Sequence, residues 1–218
     1  MKRNSQVRRG RESKSRKLNP PRFLIVSEGT KTEPNYFKGL KNQLNIKNND
    51  RLVYKNVLPI IEVEGKGYNT LSLVDAVLEI VKKSAIEYEK VFCVFDRDSF
   101  PKDDFNNAIL KCYKRNIVPL YSNECFELWI LLHFNTIDAA LGRKDIYKKL
   151  DDIFKINRID SNGYLKSNEN LYEILDKFGD QDKAILQARK LDCIKSQDYA
   201  NHNPVTKVYE LIEELNEY

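Results

Sequence analysis

Residues 23–29 and 91–98 have the sequences Phe-Leu-Ile-Val-Ser-Glu-Gly and Val-Phe-Cys-Val-Phe-Asp-Arg-Asp, two short apolar runs that end in acidic residues. Uninterrupted apolar runs of this length are typical of strands buried on both faces of a parallel sheet. Ligands of open α/β sheets bind at the carboxyl ends of such strands, where Glu28, Asp96 and Asp98 are expected to meet. Carboxylates brought together repel each other, and a bound divalent cation relieves that repulsion. The sequence therefore predicts a Mg²⁺-dependent enzyme of phosphoryl transfer.

The rest of the hydrophobic pattern alternates strands with helices. Two further strands are predicted, in the second half of residues 52–63 and at residues 117–121, and Pro59 favours an edge or bulged position for the first of them. Helical spacing predicts helices at residues 32–44, 71–81, 101–113 and 126–134, with a loop from Asn45 to Asp50. This alternation implies βαβ units, so we expect an α/β fold with a mostly parallel four-stranded sheet flanked by helices.

Beyond residue 135 the pattern indicates helices and no further strand. These helices are predicted at residues 146–154, 171–178, 184–191 and 205–215, and Asn203-Pro204 has the residue types of an N-cap and first helical position for the last one. We therefore divide the chain into a disordered basic tail (1–20), an α/β core (21–135) and a helical extension packed on the core (136–218).

Charge and cysteine usage limit the class of protein. Residues 1–18 contain eight basic residues against the single acid Glu12, whereas the whole chain has a net charge of +5, so the remainder is slightly acidic. The tail is interpreted either as a solubilising leader or as an arm that binds phosphate backbones. The four cysteines form no CxxC pair and are expected to be reduced. With no apolar leader and no run of about 20 apolar residues, we expect a cytoplasmic protein without membrane contact.

The first two acidic stretches are the strongest candidates for a metal site. Asp96 and Asp98 leave an extended chain on the same side, although Asp-x-Asp alone is more often a polar turn. Glu28, at the end of a different strand, favours a metal site instead. Gly29 allows a sharp turn after that strand. Residues Lys31 to Glu33 follow it, where Lys31 is a candidate ligand of a phosphate or of the leaving group. Glu33 is a candidate to assist the metal, although its charge at a helix N-terminus explains it better.

Two later stretches contain further polar candidates. Ser122 or Asn123 is expected to cap the helix that follows, Glu124 lies near the same edge of the sheet, and Glu127 lies one turn farther along. His133 in an apolar helix is more often a core residue, and a role as general base stays open. Lys207, one turn into the predicted final helix, has the position of an anion ligand, but helix capping accounts for the surrounding residues. The sequence has no P-loop, no Ser-His-Asp order and no zinc-ligand spacing.

Together these motifs resemble the Toprim fold, the metal-binding domain of topoisomerases, primases and OLD-type nucleases. More specifically, the chain resembles the RloB (AbiLii-type) family, which is associated with restriction-modification loci and abortive-infection phage defence. The resemblance is carried by residues 25–37, 94–98, 123–134 and 203–206. It implies that Glu28, Asp96 and Asp98 form the metal site, with Glu124, Glu127 and His133 as accessory residues. It also implies an AAA-type ATPase partner in some systems.

Our first hypothesis is a Mg²⁺-dependent Toprim nuclease of antiviral defence, with Mn²⁺ as a possible substitute ion. Asp96 and Asp98 hold the metal in this hypothesis, Glu28 completes the site or acts as general base, and Lys31 and Arg97 offer charge to the scissile phosphate. RNA, including tRNA, and DNA both remain open as substrates. The alternatives are a non-catalytic module that binds nucleic acid or an ATPase, and a primase-like nucleotidyl transferase. The last is disfavoured because no nucleotide-binding loop is apparent.

Overall fold

The computed structural model describes residues 20–50, 60–67, 70–97, 101–193 and 196–217, and it has an α/β architecture. The strands are β1 (Arg22–Ser27), β2 (Ile60–Gly65), β3 (Lys90–Asp96), β4 (Val118–Asn123) and β5 (Val205–Thr206). The helices are α1 (Thr32–Asp50), α2 (Thr70–Lys83), α3 (Lys102–Lys114), α4 (Glu127–Leu132), α5 (Arg143–Ile156), α6 (Leu171–Phe178), α7 (Gln181–Leu191) and α8 (Val208–Asn216). The basic tail lies outside the described residues, apart from Pro20.

The strands form one mixed sheet in the order β2-β1-β3-β4-β5. The first four strands are parallel, and β5 pairs with β4 in the antiparallel direction. The predicted edge position of β2 is confirmed, although Pro59 itself lies outside the described part of the chain. Since β1 and β3 are central neighbours, with Ser27 opposite Val94, their carboxyl ends lie side by side.

Each face of the sheet packs against its own set of helices. Residues of β1 and β3 alternate between the two faces, as extended backbone requires. Phe23 and Ile25 belong to a core with α1 and α4–α8, whereas Leu24 and Val26 belong to a second core with α2 and α3. The helices that follow residue 136 therefore share one continuous core with the sheet. The domain boundary at that residue stays a prediction.

Three local predictions are wrong. The stretch from Asn45 to Asp50 is not a loop, because α1 continues through Asp50; it contains no Gly or Pro that would end a helix. Ser122 and Asn123 do not cap α4, since they are the last residues of β4. The final helix begins at Val208, and Val205–Thr206 form the fifth strand of a sheet that was predicted to have four.

Buried polar side chains account for β5, whose two residues are too few to show strand periodicity. The hydroxyl groups of Ser122 and Thr206 lie 2.8 Å apart and form a hydrogen bond between the two strands. The Asn123 Nδ2 group donates to the backbone oxygens of Ala200 at 3.2 Å and His202 at 2.8 Å. The segment before β5 is therefore tied to the end of β4.

The cysteines and the length of the apolar helices were also considered from the sequence. All four cysteines are free, three of them buried and Cys193 exposed. No helix within the described ranges has the length and apolar character needed to span a membrane.

We expect Thr206→Val to destabilise the fold by roughly 1–3 kcal/mol, because the buried Ser122 hydroxyl loses its partner. Chemical denaturation measures the change. Thr206→Ser, which keeps the hydroxyl, is the control. The double variant Ser122→Ala/Thr206→Val should recover much of the loss; a double variant no more stable than Thr206→Val would contradict this account of β5.

Candidate metal centre

A cavity of about 270 Å³ lies at the carboxyl ends of β1 and β3, the place predicted from the sequence. Acidic and basic side chains make up most of its wall. The lining residues are Glu28, Gly29, Thr30, Lys31, Thr32, Glu33, Asp96, Glu127, Arg143 and Lys166. We call this space the acidic cavity, because four carboxylates from four different elements reach it.

Glu28 and Asp96 reach the acidic cavity from adjacent parallel strands. Asp96 is the last residue of β3, and Glu28 directly follows β1. The Glu28 backbone N–H donates to the Val94 oxygen at 2.8 Å, and the Glu28 oxygen accepts from Gly67 N–H at 2.8 Å. The backbone below Glu28 is thus anchored to β3 on one side and to the segment after β2 on the other.

Glu33 and Glu127 reach the same space from helix starts. Glu33 lies in the first turn of α1 and Glu127 is the first residue of α4; both are buried, with 7% and 2% of their surface exposed. A Cβ atom at position 29 would lie 2.1 Å from Glu33 Oε2, so glycine is what leaves room for that carboxylate. The Tyr164 hydroxyl donates to Glu127 Oε1 at 3.3 Å. Glu33, for which the sequence favoured a charge at a helix N-terminus over a role beside the metal, therefore lines the cavity.

The carboxylates perturb one another electrostatically. Burial raises the pKa of Asp96 well above its ordinary value, and the nearby charges of Glu33 and Glu127 raise it further. Burial also raises the pKa of Glu33, with Glu127 adding to the increase. Arg143 acts against both increases. The raised pKa values show that the cationic side chains of the cavity do not fully offset the burial and mutual repulsion of its four carboxylates.

Three cationic side chains line the cavity, and of these only Lys31 was predicted from the sequence. An Arg143 Nη2 atom lies 3.7 Å from Asp96 Oδ2, and Lys166 Nζ lies 3.6 Å from Glu127 Oε1. Lys166 is positioned by its backbone, whose oxygen accepts from Thr32 Oγ1 at 3.1 Å. Arg143 and Lys166 follow the acidic motifs by many residues and belong to no motif, so no local signal pointed to them.

The donor set of the acidic cavity fits a hard divalent cation. The side chains of the cavity that could bind a metal ion are mainly carboxylates, and neither Cys nor His lines it. No three acidic, His or Cys side chains among the described residues are grouped closely enough to hold an ion by themselves. Mg²⁺ fits such an arrangement, since it is commonly bound by one or two carboxylates with water and substrate phosphate completing its shell. Asp98, the third predicted ligand, lies outside the described residues.

Three other residues considered from the sequence do not line the cavity. Arg97 Nε donates to the Ala200 oxygen at 3.4 Å, and its guanidinium lies over the Phe105 ring. The Glu124 carboxylate accepts from Asn203 Nδ2 at 3.2 Å. Lys207 forms ion pairs with Asp192 and Glu210. These contacts explain Arg97, Glu124 and Lys207 by packing and charge pairing.

His133 is also placed elsewhere, in a small pocket between α1, α4 and α6. The ring is 3% exposed, its Nδ1 lies 2.9 Å from the Trp129 oxygen, and it packs edge-on against the Trp129 ring. Burial lowers the pKa of His133 to about 4, against a partial increase from the bond to Trp129. The structure does not bring this residue to the acidic cavity, and its contacts are those of a core histidine.

We expect His133 to make the fold less stable as the pH falls from about 6.5 to about 4. Its pKa is lower in the folded than in the unfolded chain, so the unfolded chain binds more protons in this range and gains stability from acid. The free energy of unfolding should fall by about 3 kcal/mol in total through this residue. Denaturant unfolding across this range should show a shallower pH slope for His133→Gln than for the wild type. Equal slopes would contradict the assignment of a buried neutral imidazole.

One comparison with known proteins agrees with the resemblance to the RloB family found in the motifs. No curated protein and no solved structure gives a significant match. Residues 23–215 match the family model described as RloB-like protein, which covers most of the chain and includes every residue of the acidic cavity. The chain therefore belongs to the RloB-like family.

Proposed function

We propose that this protein is a Mg²⁺-dependent nuclease with a Toprim-like catalytic core. The observation that carries the proposal is the acidic cavity, where four carboxylates and three cations meet at the carboxyl ends of β1 and β3. Carboxylates that bind a metal and cations that bind phosphate are the two sets of groups that phosphodiester cleavage needs. Membership of the RloB-like family supports the proposal.

Glu28 and Asp96 are the residues that would hold the ion. They project from adjacent strand ends whose backbones are fixed by the sheet, and Asp98 remains a predicted third ligand. When bound, Mg²⁺ stabilises negative charge on the attacking and leaving oxygens of the phosphate. Glu33 and Glu127 complete the ring of carboxylates around the cavity and keep it attractive to a cation.

Lys31, Arg143 and Lys166 would bind the oxygens of the substrate phosphate. Lys31 is exposed, and Arg143 has a planar guanidinium suited to two parallel hydrogen bonds with phosphate. Arg143 and Lys166 now form ion pairs with Asp96 and Glu127. Both side chains line the acidic cavity and would turn from these carboxylates toward the oxygens of an incoming phosphate.

The biological setting follows from the family resemblance. We propose cytoplasmic action on RNA, including tRNA, or on DNA in abortive-infection defence, with an AAA-type ATPase as a partner. One observation also favours a second candidate, a non-catalytic module that binds nucleic acid or the ATPase: within the part of the chain that the structure describes, no three-ligand metal group is formed.

Cleavage of labelled single-stranded and duplex RNA and DNA in Mg²⁺ or Mn²⁺ separates these candidates. We expect the wild type to cleave at least one of the four substrates, and chelation of the metal to stop cleavage. Glu28→Gln and Asp96→Asn should each lower the rate at least about 100-fold, since each removes a metal ligand.

Asp103→Asn is the matched control for Asp96→Asn. Asp103 is an exposed residue of α3 outside the acidic cavity, so this variant removes the same charge and should cleave at the wild-type rate. Cleavage at the wild-type rate by both Glu28→Gln and Asp96→Asn would contradict the proposed nuclease site. Metal-independent binding without turnover would favour the non-catalytic module.

A further inference from the structure

A second pocket adjoins the acidic cavity and has aromatic walls. Its volume is about 480 Å³, and its lining comes from α5 and the segment before α6: Tyr147, Lys148, Asp151, Tyr164 and Lys166. Lys166 lines both spaces, so a ligand in one of them comes next to a ligand in the other. We call this second space the tyrosine pocket.

The two tyrosine rings of the pocket are nearly parallel. Their planes differ by 16° and their centroids lie 6.3 Å apart. The Tyr147 ring is half-buried and belongs to neither hydrophobic core of the fold. Its hydroxyl makes no hydrogen bond within the described residues. The Tyr147 ring therefore lies outside both hydrophobic cores, and no hydrogen bond of its hydroxyl group within the described residues fixes its position.

Tyr164 connects the tyrosine pocket with the acidic cavity through two hydrogen bonds. The Tyr164 backbone N–H donates to Asp151 Oδ1 at 3.3 Å, while its hydroxyl donates to Glu127 at 3.3 Å. Gly163 allows this approach, because it has a φ of +86° and a Cβ there would lie 1.7 Å from Asp151 Oδ1. Tyr164 thus lines the tyrosine pocket and orients the Glu127 carboxylate of the acidic cavity.

Lys166 is the wall of the pocket that lies over the Tyr147 ring. Its Nζ lies 4.8 Å from the centroid of the Tyr147 ring, and 53% of its side chain is exposed. When this ammonium turns to a phosphate in the acidic cavity, the face of Tyr147 becomes available to a flat ligand. Lys148, on the rim, is exposed and adds positive charge for a polyanion.

From this geometry we propose that the tyrosine pocket binds an unpaired base of a single-stranded nucleic acid, beside the phosphate held in the acidic cavity. The proposal rests on the nuclease function proposed above and names its substrate class. Aromatic side chains stack on bases of any sequence, and a positive groove holds the backbone. A base inside a duplex is paired and stacked on both sides, so the pocket selects unpaired nucleotides.

Binding without metal tests this proposal independently of cleavage. The probes are a labelled single-stranded oligonucleotide, the same strand as a duplex, and an abasic strand of equal length and charge. Fluorescence anisotropy should show that the wild type prefers the base-bearing single strand to the abasic strand by at least about fivefold. Tyr147→Ala and Tyr147→Leu should lose this preference, whereas Tyr147→Phe should keep it, because the hydroxyl has no partner to lose.

Each outcome bears on one of the two proposals. Equal affinity of the wild type for base-bearing and abasic strands would overturn the base-binding assignment, as would a preference that survives in a folded Tyr147→Ala or Tyr147→Leu. Thermal unfolding of each variant checks that it is folded, and Tyr147→Leu retains apolar volume if alanine destabilises the pocket. A tyrosine-dependent preference without cleavage in Mg²⁺ or Mn²⁺ would support the pocket and contradict the nuclease function alone.

Discussion

Repulsion among four carboxylates in one partly buried cavity is the constraint on which the functional part of this structure depends. Glu28, Glu33, Asp96 and Glu127 come from four elements, and burial together with their mutual charge raises the pKa of Asp96 and Glu33. A fold maintained only for stability would gain by replacing such groups with apolar ones of similar size. The metal ion proposed above would account for the presence of all four carboxylates in one cavity.

The surrounding structure keeps the carboxylates in place by several independent contacts. Glycine at position 29 leaves space for the Glu33 carboxylate, and Tyr164 holds Glu127 by a hydrogen bond. Arg143 and Lys166 neutralise part of the charge from one side. Because Tyr164 and Lys166 also line the tyrosine pocket, the acidic cavity and the tyrosine pocket are two connected spaces.

The parts of the fold with a strong local pattern were predictable from the sequence. Continuous apolar runs correctly identified β1 and β3, and their parallel pairing placed Glu28 and Asp96 at one edge of the sheet. By contrast, β5 has two residues and owes its position to the buried contact between Ser122 and Thr206, which no periodicity reveals. The same limit applies to Arg143 and Lys166, since tertiary packing brings both to the cavity, and Lys166 is also held by the hydrogen bond from Thr32 to its backbone oxygen.

The most direct test of the central claim is a crystal structure of the protein soaked in millimolar Mn²⁺, with anomalous scattering recorded for the ion. We predict an anomalous peak between the carboxylates of Glu28 and Asp96, with oxygen ligands only, and no such peak in Asp96→Asn. A wild-type crystal with no peak in the acidic cavity, or with its peak elsewhere, would contradict the assignment of this cavity as the metal centre.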